Sequence, residues 1–203
     1  MDNSLSVMIL TGGTSKRFGS DKSEALLGDR ALIDHLIEEI PAGVPIVIVG
    51  PPRDSYGAQI QVVQESPAHG GPVAAIAAGV ALVQTKLVAI FATDMPYGPL
   101  LIPQLIDSLH AECDAVLPVD AEGYAQPLSA LYRVDALLQA VSSFATVDGE
   151  SMRNLVASLK VVKIPIDKSS AHMLLDIDTQ ADLTEAVSSY KGMNPPLTSK
   201  EGR

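Results

Sequence analysis

Short apolar segments alternate with helical segments along the first 120 residues of this chain. Five of these segments are rich in Val, Ile, Leu and Ala: Ser6–Leu10, Pro45–Gly50, Ile60–Val63, Leu87–Ala92 and Ala115–Pro118. Most of them lead into a loop that has Gly or Pro near its start. Continuous apolar runs are typical of strands that are buried on both faces. Strands that alternate with helices form a mostly parallel sheet with helices on both sides. The pattern therefore predicts an α/β fold with a mostly parallel central sheet.

The segments between these strands have helical spacing and helical start and stop signals. We predict helices in the second half of 22–40, and over Pro72–Val83, Pro99–His110, Val134–Phe144 and Ser151–Leu159. The segment Gln126–Tyr132 is predicted to be a strand that returns to the sheet, with an antiparallel direction left open. Thr179 is a candidate N-cap for a last helix. We expect a single domain over residues 1–191 and a flexible tail over 192–203.

The charge and cysteine content narrow the possible functions. The formal net charge is −10, which argues against a nucleic-acid-binding surface because such surfaces need clustered Lys and Arg. One bound nucleotide remains compatible, since it needs only a local pocket. The single cysteine, Cys113, cannot form an intrachain disulfide and is expected to be a packing residue. The N-terminus lacks the features of a signal peptide, and no apolar run could span a membrane, so we expect a cytoplasmic protein.

The loop that follows the first strand has the composition of a phosphate-binding loop. It reads LTGGTSKRFGSDK from Leu10 to Lys22. Glycines let backbone N–H groups approach a phosphate closely, and cations neutralise its charge during transfer. The loop contains three glycines, Gly12, Gly13 and Gly19, and three cationic residues, Lys16, Arg17 and Lys22. Neither a Walker A motif nor a G-x-G-x-x-G fingerprint is present.

Carboxylates follow two later segments. Asp94 comes just after the buried strand Leu87–Ala92 and is followed by Met95 and Pro96. This position suits a hard cation such as Mg²⁺, which prefers oxygen ligands and keeps part of its shell for water and substrate phosphate. Asp176 and Asp178 form an acidic pair near the end of the chain. Asp176 is a candidate second metal ligand, and the alternative that Asp178 only begins the last helix stays open.

The loop Leu10–Lys22 closely resembles the L-A-G-G-x-S-x-R-M-G-x-D-K signature of the molybdenum cofactor guanylyltransferases. The resemblance extends over about the first 180 residues through four separate motifs. It implies a three-layer, Rossmann-like nucleotidyltransferase fold of the glycosyltransferase-A type. It also implies that Leu10, Thr11, Gly12, Gly13 and Lys22 bind GTP.

The same resemblance assigns roles to the later motifs. The segment from Glu65 to Gly71 looks like the family's D-x5-G-P-L motif, whose acidic residue recognises the base, so Glu65 and Gly71 are expected at the nucleotide. A carboxylate suits guanine because it can accept from N1–H and from the exocyclic amine together. Asp94 matches the family's metal-binding aspartate. Gln126–Leu128 and Gly149–Arg153 lie where the family has its acceptor side.

The implied reaction is GMP transfer from GTP to the terminal phosphate of molybdopterin, with release of pyrophosphate. Arg17, Lys22 and Asp94 would be the catalytic residues, and Mg²⁺ would be the cofactor. The double glycine Gly12–Gly13 resembles that of the guanylyl enzymes rather than the Ala-Ala-Gly of their cytidylyl relatives, and this resemblance favours guanine over cytosine. A molybdopterin cytidylyltransferase, a nucleotidyltransferase for another small acceptor and a nucleotide-binding protein without catalysis remain alternatives. Proteins that deliver or receive molybdopterin are possible partners by resemblance alone.

Overall fold

Seven strands form one central sheet in the computed structural model, which describes residues 4–11, 25–27, 29–52, 57, 59–177 and 182. The strands of this sheet are β1 (Leu5–Leu10), β4 (Ile46–Val49), β5 (Ile60–Val63), β6 (Leu87–Ala92), β7 (Ala115–Val119), β8 (Ser129–Arg133) and β9 (Val161–Pro165). Two short strands, β2 (Leu26–Leu27) and β3 (Arg30–Ala31), pair with each other in a separate antiparallel hairpin.

The sheet is parallel except for one strand. Its order is β5-β4-β1-β6-β8-β7-β9. β1 pairs in parallel with β4 on one side and with β6 on the other, so that Val7 lies opposite both Ile46 and Ala89. β8 runs antiparallel to β6 and β7, which makes β7 and β9 parallel to the first four strands. The predicted mostly parallel sheet is confirmed, and the returning strand is antiparallel.

Helices cover both faces of this sheet, as a three-layer fold requires. They are α1 (Leu32–Glu38), α2 (Pro72–Val80), α3 (Ile102–Asp107), α4 (Val134–Ser142) and α5 (Met152–Ala157), with 3₁₀ turns at Gly98–Leu101 and Ala171–Leu174. α2, α4 and α5 share one apolar core with the sheet, and α1 and α3 share the other. In the described ranges, no helix has the length and apolar character needed to cross a membrane.

The two cores arise because successive strand residues point to opposite faces. Met8 belongs to the core under α2, whereas the next residue, Ile9, belongs to the core under α1. Both side chains are 0% exposed, so each contributes about 1.5–3 kcal/mol of burial free energy. α2 packs closely against the sheet at Gly79, where an added Cβ would lie 2.7 Å from Cγ2 of Val49.

Several details differ from the sequence prediction. β9 was not predicted, and neither was the β2–β3 hairpin. α2 ends at Val80 rather than Val83, and the predicted helix Pro99–His110 begins as a 3₁₀ turn and ends at Asp107. Cys113 is buried, as expected for a packing residue. The helix start at Thr179 and the tail 192–203 lie outside the described residues.

Candidate nucleotide and metal site

The carboxyl ends of β1, β4, β5 and β6 form one edge of the sheet, which we call the rim. The three loops that the sequence singles out follow β1, β5 and β6, so parallel pairing gathers them at this edge. Ligands of open α/β sheets bind beyond the carboxyl ends of the strands. The rim is therefore the candidate site.

Leu10 and Thr11 are held at the centre of the rim by bonds to both neighbouring strands. The N–H of Thr11 donates to the carbonyl of Val49 (2.9 Å), and its Oγ1 donates to the same oxygen (3.1 Å). Oγ1 of Thr93 donates to the carbonyl of Leu10 (2.8 Å), as does its N–H (3.2 Å). The start of the glycine-rich loop and the residue before Asp94 are thus fixed to each other.

Glu65 is a buried carboxylate at the end of β5. The residue is only 7% exposed. Oε1 accepts a hydrogen bond from the backbone N–H of His69 (3.0 Å), which closes the segment 64–71, hereafter the base loop. Oε2 is buried and accepts no hydrogen bond from any described residue. A buried carboxylate oxygen without a donor is costly unless a ligand supplies the donor.

Gly71 connects the base loop to α2. Its φ of +89° lies in the region that side-chain-bearing residues rarely adopt, and its ψ is −179°. Pro72 then takes the first helical position, where its missing N–H is not needed. The carbonyl of Gly71 accepts from the N–H of Ala75 (3.0 Å), the first hydrogen bond of the helix. The glycine therefore sets the angle between the base loop and α2.

Asp94 and Asp176 come from distant parts of the sequence and meet at the rim. The N–H of Ile177 donates to the backbone carbonyl of Asp94 (2.9 Å), which places Asp176 beside the loop after β6. Asp94 is half-buried and Asp176 is exposed. In the described ranges, no group of three or more His, Cys, Asp or Glu side chains forms a metal centre. Two carboxylates at an open edge fit Mg²⁺, which completes its shell with water and phosphate oxygens.

Several residues of the predicted site belong to parts of the chain that the structure does not describe. Gly12, Gly13, Arg17, Lys22 and Asp178 lie outside the described residues. Their roles stay predictions from the sequence.

The loop between β7 and β8 contacts the end of β6, two residues before Asp94. The N–H of Ala92, at the end of β6, donates to the carbonyl of Leu128 (2.9 Å). Asp120 organises this loop by accepting from the N–H of Tyr124 (2.8 Å) and from the side-chain amide of Gln126 (2.7 Å). The structure thus places the segment Gln126–Leu128 beside the end of the strand that Asp94 follows.

Two features of the rim were not predicted from the sequence. Thr93 ties Leu10 to the loop after β6, and its position directly before Asp94 is the only signal that could have revealed it. The backbone N–H of Gly149 donates to the carbonyl of Gly70 (2.8 Å), so the loop between α4 and α5 contacts the base loop. No local pattern in the sequence indicates this second contact.

Comparisons with known proteins show which family this chain resembles. The family described as MobA-like NTP transferase domain matches residues 7–162. A protein of Natronomonas pharaonis named probable molybdenum cofactor guanylyltransferase is 29% identical over 196 residues, covering 88% of this chain and 95% of the relative.

Solved structures share the fold. The molybdopterin-guanine dinucleotide biosynthesis protein A of Archaeoglobus fulgidus matches with a TM-score of 0.70 and 25% identity, over 93% of this chain and all of that one. The 2-C-methyl-D-erythritol 4-phosphate cytidylyltransferase of Thermus thermophilus matches with a TM-score of 0.66 and 13% identity, over 91% of this chain and 98% of that one. At that identity the second likeness shows the fold alone.

Proposed function

The chain belongs to the family of MobA-like NTP transferase domains, and from that premise we propose that it transfers GMP from GTP to the terminal phosphate of molybdopterin. It is a nucleotidyltransferase of molybdenum cofactor biosynthesis. The product would be the guanine dinucleotide form of the cofactor, together with pyrophosphate.

The observation that carries the choice of guanine is the carboxylate of Glu65. Its Oε1 is held by the N–H of His69, and its buried Oε2 has no donor among the described residues. Guanine offers two adjacent donors, N1–H and the exocyclic amine, which match the two oxygens of one carboxylate. Cytosine and adenine each offer one amine beside an acceptor nitrogen. That nitrogen would face the carboxylate without a hydrogen atom between them.

The transfer itself needs positioning and charge neutralisation. An anionic oxygen of the acceptor's terminal phosphate attacks the α-phosphorus of GTP, and the bond from that phosphorus to the pyrophosphate oxygen breaks. No side chain has to act as a nucleophile, because the attacking oxygen already carries negative charge. Bound Mg²⁺ would supply electrostatic stabilisation of the phosphate oxygens.

Each part of the rim has a task in this proposal. Asp94 and Asp176 would hold the metal, and Leu10 and Thr11 would orient the nucleotide. From the sequence, Gly12 and Gly13 would offer backbone N–H groups to the phosphates, while Arg17 and Lys22 would neutralise their charge. The loop Gln126–Leu128, beside the end of β6, would border the acceptor.

The first experiment measures binding of GTP, CTP and ATP with and without Mg²⁺, followed by pyrophosphate release with molybdopterin. Asp94→Asn is compared with Asp107→Asn as a matched control, because Asp107 is exposed at the end of α3 that leads away from the rim. We expect Mg²⁺ to strengthen GTP binding to the wild type and to the control. In Asp94→Asn this enhancement should be lost.

The outcomes separate the parts of the proposal. CTP preference would replace guanine by cytosine and refute the role given to Glu65. Magnesium-dependent GTP binding without pyrophosphate release in the presence of molybdopterin would refute this acceptor. An equal response of both aspartate variants to Mg²⁺ would refute the metal role of Asp94.

A further inference from the structure

The base loop is supported from outside by the loop that joins α4 to α5. The N–H of Gly149 donates to the carbonyl of Gly70 at 2.8 Å. The side chain of Asp148 approaches the same glycine, since its Oδ1 lies 3.3 Å from the position that a Cβ on Gly70 would occupy. The two loops therefore meet at one buried glycine.

Gly70 leaves no room for a side chain at this junction. A Cβ there would lie 2.9 Å from Cβ of Ala74 and 3.0 Å from the carbonyl oxygen of Pro67. Ala74 belongs to α2 and Pro67 to the base loop, so neither obstacle is the movable end of a long side chain. Any side chain at position 70 must push the base loop, α2 or the 148–149 segment away from its place.

This junction lies next to the group that holds Glu65. The N–H of His69, the residue before Gly70, donates to Oε1 of Glu65 at 3.0 Å. A displacement of the peptide at Gly70 therefore passes to the N–H that orients the carboxylate. Hydrogen bonds from N–H groups to oxygen span only about 2.7–3.2 Å, so a shift of a few tenths of an ångström weakens them.

From these contacts we infer that Gly70 and Gly149 are positioning residues for base specificity: the loop between α4 and α5 holds the base loop so that Glu65 can read the base. The inference rests on the proposed function of Glu65 and extends it to a second loop. Neither glycine offers a side chain to the nucleotide. Their effect would pass entirely through the position of the carboxylate.

The test measures the ratio of dissociation constants for ITP and GTP, because ITP lacks only the exocyclic amine of guanine. This ratio does not depend on the folded fraction of a variant, which a purely structural defect would lower. Loss of one hydrogen bond to a charged group predicts a wild-type ratio of about ten or more. For Gly70→Ala we expect the ratio to fall to about two or three.

Gly79→Ala is the matched control for crowding. Gly79 is also a buried glycine of the α2 region, and its added Cβ would lie 2.7 Å from Cγ2 of Val49 and 2.8 Å from Sδ of Met8. This contact faces the sheet core and not the base loop. We therefore expect Gly79→Ala to lower the melting temperature while the ITP to GTP ratio stays at the wild-type value.

A second variant keeps the test informative if Gly70→Ala fails to fold. Gly149 has a φ of +71°, so Gly149→Ala strains the supporting loop without crowding the base loop. Its matched control is Gly43→Ala, because Gly43 has a similar φ of +86° in the turn before β4, at the opposite edge of the sheet. We expect the ratio to fall in Gly149→Ala and to remain unchanged in Gly43→Ala.

The results distinguish this inference from the proposed function. A wild type that binds ITP as tightly as GTP would overturn both. A wild type that discriminates, with Gly70→Ala and Gly149→Ala discriminating equally well, would overturn the inference and leave the role of Glu65 intact. A falling ratio in Gly79→Ala or Gly43→Ala would also overturn it, since general loosening of the fold would then suffice.

Discussion

Replacing Glu65 by Gln separates recognition of the base from maintenance of the fold. The amide oxygen of Gln can still accept from the N–H of His69, so the base loop keeps its internal hydrogen bond. The amide nitrogen takes the place of Oε2, which is buried and has no donor among the described residues. In the wild type, Oε2 would accept a hydrogen bond from a donor of guanine. In the variant, the amide N–H group of Gln would face that donor, and no hydrogen bond could form between them.

The magnitude follows from this exchange. A hydrogen bond to a charged group contributes about 1.5–3 kcal/mol, so the variant should bind GTP about 10- to 150-fold more weakly. In the free protein the substitution removes a buried carboxylate oxygen that has no donor among the described residues, so we expect no loss of stability. Weaker binding with an unchanged melting temperature is the signature of a ligand-recognising carboxylate.

The assay is GTP and XTP titration of wild type and Glu65→Gln, with Glu112→Gln, which changes an exposed carboxylate before β7, as the control. Xanthine carries an oxygen where guanine carries the exocyclic amine, so the Gln amide can donate to it. We expect the variant to prefer XTP and the control to behave as wild type. Unchanged GTP affinity together with a lowered melting temperature would refute the reasoning and reduce Glu65 to a loop-closing group.

Three further predictions test the rest of the rim and the core. Asp176→Asn should raise the Mg²⁺ concentration for half-maximal activity about tenfold, and an unchanged magnesium titration would assign no metal role to Asp176. Gly98→Ala should cost about 1–3 kcal/mol in urea denaturation, because its Cβ would lie 2.7 Å from Cδ1 of Phe91. Burial raises the pKa of Tyr132 above its ordinary value of about 10. In a pH titration followed by absorbance, its phenol should therefore stay protonated in the folded protein at pH values at which the unfolded chain ionises. The unfolded state then releases the proton first, and stability should fall as the pH rises above about 10.

The sequence predicted the central strands well because they are buried on both faces. In a fold of this class, continuous apolar runs such as Leu87–Ala92 are typical of strands that are covered by helices on both faces. β9 was missed because it is an edge strand whose residues are half-buried or exposed, with Lys163 and Pro165 among them. Such residues are typical of sheet edges, and they remove the apolar pattern on which the prediction depends.

The candidate site was predictable only where a short stretch of sequence determines the position of its residues. Glu65 and Asp94 each follow a recognisable strand, so chain direction alone placed them at one edge. The contact between Asp94 and Ile177 joins segments that no periodic pattern relates. The hydrogen bond from Gly149 to Gly70 depends on the direction of β8, which the sequence left open.

That one antiparallel strand explains how two of the loops reach the rim. Because β8 is reversed, it starts at the rim, and the segment before it, Gln126–Leu128, lies beside the end of β6. β8 then ends at the opposite edge, where the N–H of Val134 donates to the carbonyl of Lys86 (3.0 Å), just before β6 begins. α4 must therefore run back towards the rim.

The loop after α4 consequently arrives at the base loop. With a parallel strand in the place of β8, the following helix would start at the rim and lead away from it, and Gly149 could not contact Gly70. The reversal thus brings the proposed acceptor side next to Asp94 and supplies the support under Glu65. The proposed sites for base recognition and for the acceptor are linked through the same strand, although their residues lie on opposite sides of β1.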